Sequence, residues 1–280
     1  MSAASEMAFD VRDVSYRYHQ VPALSNLSMQ VARGERVALL GANGSGKSTL
    51  LRLLAGLSFP QQGTISFFGQ SLTEQRFEEE AFFYNFRRRV GLVFQNPDVQ
   101  LFNPSVFDEV AFGPLQLRWP KAEIRERVEA MLSSMGVSHL RDRAPHRLSG
   151  GEKKRVALAS VLVTDPEVLL LDEPSAALDP PSQAQIVDLL VSWKNGSKTV
   201  ITATHDLDTL EDIADRCYVF EGGHIAGEGT PLQVLHDVAL LERTSLVRVH
   251  HHVHESGTAQ PHPHLHSDDT HSQRAHKCRE

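Results

Sequence analysis

The sequence predicts an α/β fold on three observations. Strand-like and helix-like stretches alternate through residues 7–240. A short apolar run, RVALLG (36–41), ends in glycine and leads into a leucine-periodic segment. A second apolar run, EVLLLDEP (167–174), is closed by two acids and a proline.

Taken in order, RVALLG has the length and composition of a buried strand. STLLRLLAGL (48–57) spaces Leu50, Leu53, Leu54 and Leu57 along one helix face. EIRERVEAMLSSMG (123–136) sets Ile124, Val128, Met131 and Met135 on one face, with Gly136 as its stop. EVLLLDEP has no polar alternation, so it reads as a central strand buried on both faces. DPPSQAQIVDLLVSW (179–193) opens on Asp179 at an N-cap followed by proline, as a helix start does. KTVITATH (198–205) is β-branched and strand-like. From about residue 245 the composition shifts to His, Ser, Thr, Pro and Gln. That divides the chain into a folded domain, 1–244, and a disordered appendage, 245–280.

The 280 residues carry a net charge of -7, against the basic excess of a general nucleic-acid binder, so no nucleic-acid partner is expected. Two cysteines far apart in sequence give no disulfide framework and point to a reducing compartment. The first residues, MSAASEMAFDVRDV, lack the basic and apolar regions of a signal peptide. No apolar run approaches the roughly 20 residues needed to span a bilayer. A soluble, cytoplasmic chain able to dock on a membrane protein is expected.

GANGSGKS (41–48) fits G-x-x-x-x-G-K-[ST] and sits between a predicted strand and a predicted helix, the context that gives the motif its meaning. Gly41, Asn43, Gly44, Ser45 and Gly46 form a loop whose backbone N–H groups can crowd around phosphate oxygens. The helix N-terminus adds partial positive charge. Lys47 is placed to reach the β and γ phosphates, Ser48 to meet Mg²⁺, and Thr49 to touch the α phosphate. This loop alone does not choose between kinases, GTPases and transport ATPases.

LSGGEKKR (148–155) begins 101 residues after Lys47. Locally it reads as a capping box, with Ser149 as N-cap and Glu152 three residues on. The same helix start can present Ser149 and Gly151 to a phosphate. With this motif the chain resembles the ATP-binding cassette (ABC) family, whose signature is LSGGQ; Glu152 stands where that pattern has Gln. The resemblance covers about residues 7–240. It implies a P-loop NTPase core, an N-terminal antiparallel β subdomain and an inserted helical subdomain carrying the signature.

The remaining family parts follow in order. Asp172 and Glu173 in LLLDEP resemble the acid that holds Mg²⁺ and the general base that polarises the attacking water. Gln95 in VGLVFQNPD matches the Q-loop, which senses Mg²⁺ and the transporter partner. SAALD (175–179) matches the D-loop, with Asp179 facing a second subunit, and His205 in TATHD matches the histidine that touches the γ phosphate. Tyr18 in VSYRYHQ matches the aromatic that stacks on adenine, with Tyr16 as the competitor. ATP and Mg²⁺ are thus the implied ligands. Two cassettes are implied to pair head to tail, as a homodimer or with a homologous cassette, the signature of one closing on the ATP of the other.

The run 91–117, GLVFQNPDVQLFNPSVFDEVAFGPLQL, together with LSGGEKKRVALA and GEGTP (227–231), looks like the ATPases of energy-coupling factor (ECF) importers, which take up vitamins, cobalt or nickel. That resemblance implies a transmembrane coupling protein, a substrate-binding membrane protein and a peripheral position on the cytoplasmic face of the membrane. A non-transport ABC ATPase is the rival reading; the long insertions and second cassettes of that class are missing here.

Residues 249–266, VHHHVHESGTAQPHPHLH, hold seven histidines. His250, His251, His252 and His254 form one candidate chelating cluster, and His262, His264 and His266 another; Asp268, Asp269 and Cys278 add ligand types. Neutral imidazole binds Ni²⁺, Co²⁺, Cu²⁺ and Zn²⁺, and the affinity order alone does not choose among them. A polar tail with no metal role is the plain alternative. The metal reading favours a cobalt or nickel importer over a vitamin importer.

Overall fold

The computed structural model describes residues 6–194 and 196–247. The tail histidines His250, His251, His252, His254, His262, His264 and His266 lie outside the described residues, as do Asp268, Asp269 and Cys278.

The first third of the chain forms β1 (Met7–Tyr18), β2 (Val21–Ala32), β3 (Arg36–Leu40), α1 (Lys47–Leu54), β4 (Gln62–Phe67) and β5 (Gln70–Ser71). The middle forms α2 (Glu74–Glu78), α3 (Glu80–Arg89), β6 (Val90–Val93), α4 (Val106–Gln116), α5 (Lys121–Ser134) and α6 (Gly150–Leu162). The last part forms β7 (Val168–Asp172), α7 (Pro180–Ser192), β8 (Thr199–Thr204), α8 (Leu210–Ile213), β9 (Arg216–Glu221), β10 (His224–Gly229), α9 (Pro231–His236) and α10 (Val238–Arg243).

Two sheets result. One is four-stranded and antiparallel, in the order β2-β1-β4-β5. The other has the order β10-β9-β3-β8-β7-β6, parallel except for β10. The antiparallel β subdomain and the helical insertion that the resemblance implied are both present.

Burial follows strand alternation. In β3, Val37 and Leu39 face one core and Ala38 and Leu40 face another. The first core lies between the sheets and encloses Leu50, Leu51, Leu53 and Leu54 of α1, together with Phe9, Ile65 and Phe67. The second lies on the opposite face of the parallel sheet under α7, through Ile186 and Leu190, and Leu246 and Val247 pack half-buried against it. A strand buried on both faces cannot alternate with polar residues, which is why RVALL and VLLLD are apolar throughout.

The helical insertion has its own core of Val106, Val110, Ile124, Val128, Leu132 and Val156. On α5 the fully buried stripe is Ile124, Val128 and Leu132, while Met131 and Met135 are half-buried at its edge. The expected face is therefore rotated by about one position, because α5 packs against α4 and α6 together.

Candidate nucleotide site

The C-terminal ends of four adjacent parallel strands carry the chemistry. The loop 41–46 follows β3, His205 follows β8, Asp172 ends β7 with Glu173 next to it, and Gln95 lies two residues beyond β6. Ligands of open α/β sheets collect at this edge because strand ends and helix N-termini converge there.

The loop owes its path to its glycines. Gly41, Gly44 and Gly46 all have positive φ, and Gly46 is the left-handed N-cap of α1. A Cβ on Gly46 would meet the Ala23 carbonyl and Leu24 Cδ2, each at 2.8 Å. Lys47 is buried and its Nζ donates to the Gly41 carbonyl at 2.6 Å. Burial lowers the pKa of this ammonium, opposed by the charges of Glu173 and Asp172.

Residues 43–49 line a cavity of about 330 Å³ with Ala23, Gln95 and Glu173. The Ser48 hydroxyl donates to Asp172 Oδ1 at 3.0 Å. Burial raises the Asp172 pKa, while the Ser48 bond opposes the rise. This pairing of a hydroxyl and a carboxylate beside an amide side chain is an oxygen-rich donor set that suits a hard divalent cation.

Glu173 is buried with a left-handed backbone, φ 46°, and its N–H donates to the Ala203 carbonyl at 2.9 Å. Its Oε2 lies 3.0 Å from Nδ1 of His205, and its Oε1 lies 3.9 Å from Lys47 Nζ with no hydrogen-bond partner. The hydroxyl of Ser45 is likewise buried and unpartnered. Two orphaned polar atoms around one cavity mark a place where a ligand completes the bonding.

The signature helix begins as expected. Ser149 Oγ accepts from the Glu152 N–H at 3.3 Å, and Glu152 Oε2 accepts from the Ser149 N–H at 2.7 Å. Gly151 lies against the start of α7, where a Cβ would stand 2.5 Å from Ser182 Oγ. Asp179 is the N-cap of α7 by position, without a capping side-chain bond. Tyr18 is 40% exposed at the end of β1 and packs edge-on to Tyr16 at 5.1 Å, while Tyr16 leans on the core.

Thus the structure brings together the phosphate loop, Gln95, Asp172, Glu173 and His205. Gln95 and Glu173 line the cavity with the loop, Asp172 joins it through Ser48 and His205 through Glu173, while Gly41, Tyr18, Ser149, Gly151 and Asp179 do not line it. Sequence reasoning gave no role to Ala23, which lines it, or to Lys154, whose ammonium reaches the backbone of Glu173. Lys154 had a signal: it shares an i, i+4 stripe with Leu158 and Leu162, both buried.

This edge has the geometry expected of a P-loop nucleoside-triphosphate site. The family model described as ABC transporter matches residues 24–176, more than half of the chain, and the chain belongs to that family. Over 243 residues it is 57% identical to the nickel import ATP-binding protein NikO of Rhodobacter capsulatus, covering 86% of this chain and 96% of that protein. Over 238 residues it is 43% identical to the energy-coupling factor transporter ATP-binding protein EcfA of Methanothermobacter thermautotrophicus, covering 85% of this chain and 75% of that protein. Among solved structures it is similar to cbiO1 from Clostridium perfringens, described as part of the ABC transporter complex cbiONQ. The TM-score there is 0.72 at 38% identity, covering 86% of this chain and 95% of that one. The chain is an ATP-hydrolysing enzyme of the ABC transporter class.

Proposed function

We propose that this chain is the ATPase subunit of an ECF-type importer of nickel or cobalt, held peripherally at the cytoplasmic face of the membrane by its partners. Residues 1–244 are the ATP-binding domain and 245–280 the histidine-rich tail. The observation that carries the hydrolytic part is the buried Glu173 carboxylate, which faces His205 through one oxygen and leaves the other free of hydrogen bonds beside Lys47.

In this reading the amides of Asn43, Gly44, Ser45 and Gly46, with Lys47 and Thr49, hold the triphosphate, and Gly41 sets the loop's entry. Ser48, Gln95 and Asp172 would hold Mg²⁺, which would supply charge neutralisation at the phosphates. Glu173 accepts a proton from the attacking water, and His205 steadies Glu173 and contacts the γ phosphate. Tyr18 stacks on adenine.

Ser149 and Gly151 act on the nucleotide of a second cassette, and Asp179 faces that cassette. Support comes from the place of Ser149 and Gly151 at the N-terminus of α6, where N–H groups favour negative charge. Two copies, or one copy and a homologous cassette, make two such sites. A transmembrane coupling protein docks in the groove beside the Q-loop, and a separate membrane protein binds the cargo.

The cargo reading draws on the named activity of the nickel-import relative and on the tail histidines, which we assign to cytoplasmic metal storage or sensing. Glu173→Gln should lower ATP turnover by about two to four orders of magnitude while nucleotide still binds; normal hydrolysis by that variant would reject Glu173 as the base. Uptake of labelled cobalt, nickel and biotin by cells lacking the gene, with and without re-supply, tests the cargo. Lost nickel or cobalt uptake supports the proposal. Normal metal uptake with lost biotin uptake moves the chain to a vitamin importer. Deleting 248–280, which spares Leu246 and Val247 on the second core, should remove metal binding and leave transport running.

A further inference from the structure

The signature helix α6 carries a lysine where its packing calls for an apolar side chain. Lys154 is 1% exposed, on the stripe it shares with Leu158 and Leu162. Removing an ammonium from water is costly unless its donors are matched, and a buried charge seldom adds stability over an apolar residue of similar size. Here all three donors are matched by carbonyls. Nζ donates to Phe94 at 3.2 Å, to Gln95 at 2.9 Å and to Glu173 at 3.2 Å.

These acceptors belong to two different strand ends. Phe94 and Gln95 follow β6 and Glu173 follows β7. The Glu173 peptide is in the left-handed region, which costs free energy for a residue with a Cβ and persists only when its surroundings hold it. Its N–H is taken by Ala203 and its carbonyl by Lys154. Asp172 and Glu173 favour the charged ammonium against burial, the larger effect, which brings its pKa down to about 8. The Lys154 ammonium has all three donors taken by backbone carbonyls and is not among the groups lining the phosphate-loop cavity.

We infer that Lys154 is a positioning residue that ties the backbones of Gln95 and Glu173 to the first turns of the signature helix. It holds the Q-loop and the hydrolytic carboxylate in register with Ser149, one and a half turns earlier on the same helix. A change at the signature end of a subunit is thereby passed to that subunit's own Gln95 and Glu173. This inference rests on the proposed roles of Gln95 and Glu173.

The test compares Lys154→Met, which keeps the bulk and loses every donor, with Lys154→Gln, which keeps two, in the full chain assembled with its membrane partners. Lys154→Met should lower kcat about tenfold or more, since small misplacements of catalytic groups are costly. Nucleotide affinity should stay within about twofold of the unaltered chain. Lys154→Gln should restore most of the rate. Added to Gln95→Ala, Lys154→Met should cost less than it does alone, because the part of its effect that runs through the Gln95 side chain is already gone while the part that runs through Glu173 remains. Unchanged kcat in Lys154→Met, equal loss in the Met and Gln variants, loss of nucleotide affinity instead of rate, or full additivity with Gln95→Ala would each overturn the inference. Glu173→Gln, measured alongside, separates the two readings: if it hydrolyses ATP normally, the role of Glu173 fails, whatever Lys154 does.

Discussion

Nδ1 of His205 lies 3.0 Å from Oε2 of Glu173, across the C-terminal ends of the neighbouring strands β8 and β7. The hydrogen bond to Glu173 raises the imidazole pKa, burial opposes the rise, and the Glu173 charge adds to it. A group whose pKa is raised by folding stabilises the fold fully below its unfolded pKa, about 6.5 for histidine. That contribution disappears as pH climbs through the raised, folded value. In nucleotide-free protein, His205→Ala should therefore lower the melting temperature more at pH 5.5–6 than at pH 8.5. Differential scanning calorimetry of both chains at the two pH values checks this; an equal gap at both would show that the imidazolium form is not favoured by the fold.

Gly46 has no room for a side chain. At φ 112° it caps α1 while the Ala23 carbonyl and Leu24 Cδ2 stand 2.8 Å from where a Cβ would be. Gly46→Ala should destabilise the fold by on the order of 1–3 kcal/mol through backbone strain alone, and nucleotide binding should fall with it. Chemical denaturation and titration with a fluorescent ATP analogue measure the two effects. Wild-type values for both would mean the loop relaxes freely.

Lys47 tests binding apart from fold. Its ammonium is held inside the loop by the Gly41 and Ala42 carbonyls. Lys47→Met keeps the bulk and removes the charge proposed to face the phosphates. Nucleotide affinity should drop about tenfold or more, as for loss of a charge-assisted contact, with far-ultraviolet circular dichroism unchanged. Retained affinity would place the β and γ phosphates elsewhere.

Phe102 offers a candidate contact for the proposed membrane partner. It is 67% exposed and meets Phe112 edge-on at 5.0 Å, with Val99 and Leu115 also exposed on the same loop and helix. The loop is held by buried Glu109, whose Oε2 accepts from the N–H groups of Phe102 and Asn103 at 2.8 and 2.7 Å. A held loop presenting aromatic surface suits a docked partner. Phe102→Asp should leave the ATPase of the isolated chain intact while lowering assembly with the membrane subunits and transport. Pull-down and uptake measured on the same variant decide it; full assembly would assign the docking elsewhere.

The local chemistry was readable because it is contiguous. A phosphate loop is one strand end, a few glycines and one helix start, all within residues 36–54, so its residues fall together whatever the rest of the chain does. The capping box of Ser149 and Glu152 is equally local. Other features depend on distant partners. Arg36, 2% exposed at the start of β3, pairs with Asp215 at 2.7 Å, 179 residues away. From sequence alone it looks like an ordinary charged residue at a strand end. The long strands β1 and β2 were also hard to read as strands, because β1 is edged by polar residues and its pairing with β2 shifts register at several points.

From the sequence by itself the chain resembles the ABC family, a resemblance carried by short contiguous motifs, and the phosphate loop and the acidic and histidine groups followed as what that resemblance implies. Only the tertiary structure decided which of them share a cavity. The parallel order of β3, β8, β7 and β6 brings Lys47, His205, Glu173 and Gln95 to one edge, where Lys47, Glu173 and Gln95 line one cavity and His205 reaches it through Glu173. It also turned Lys154 from a polar residue in a motif into a buried ammonium bound to three carbonyls. Burial and hydrogen-bond satisfaction are properties of packed surroundings, and a linear spacing does not contain them.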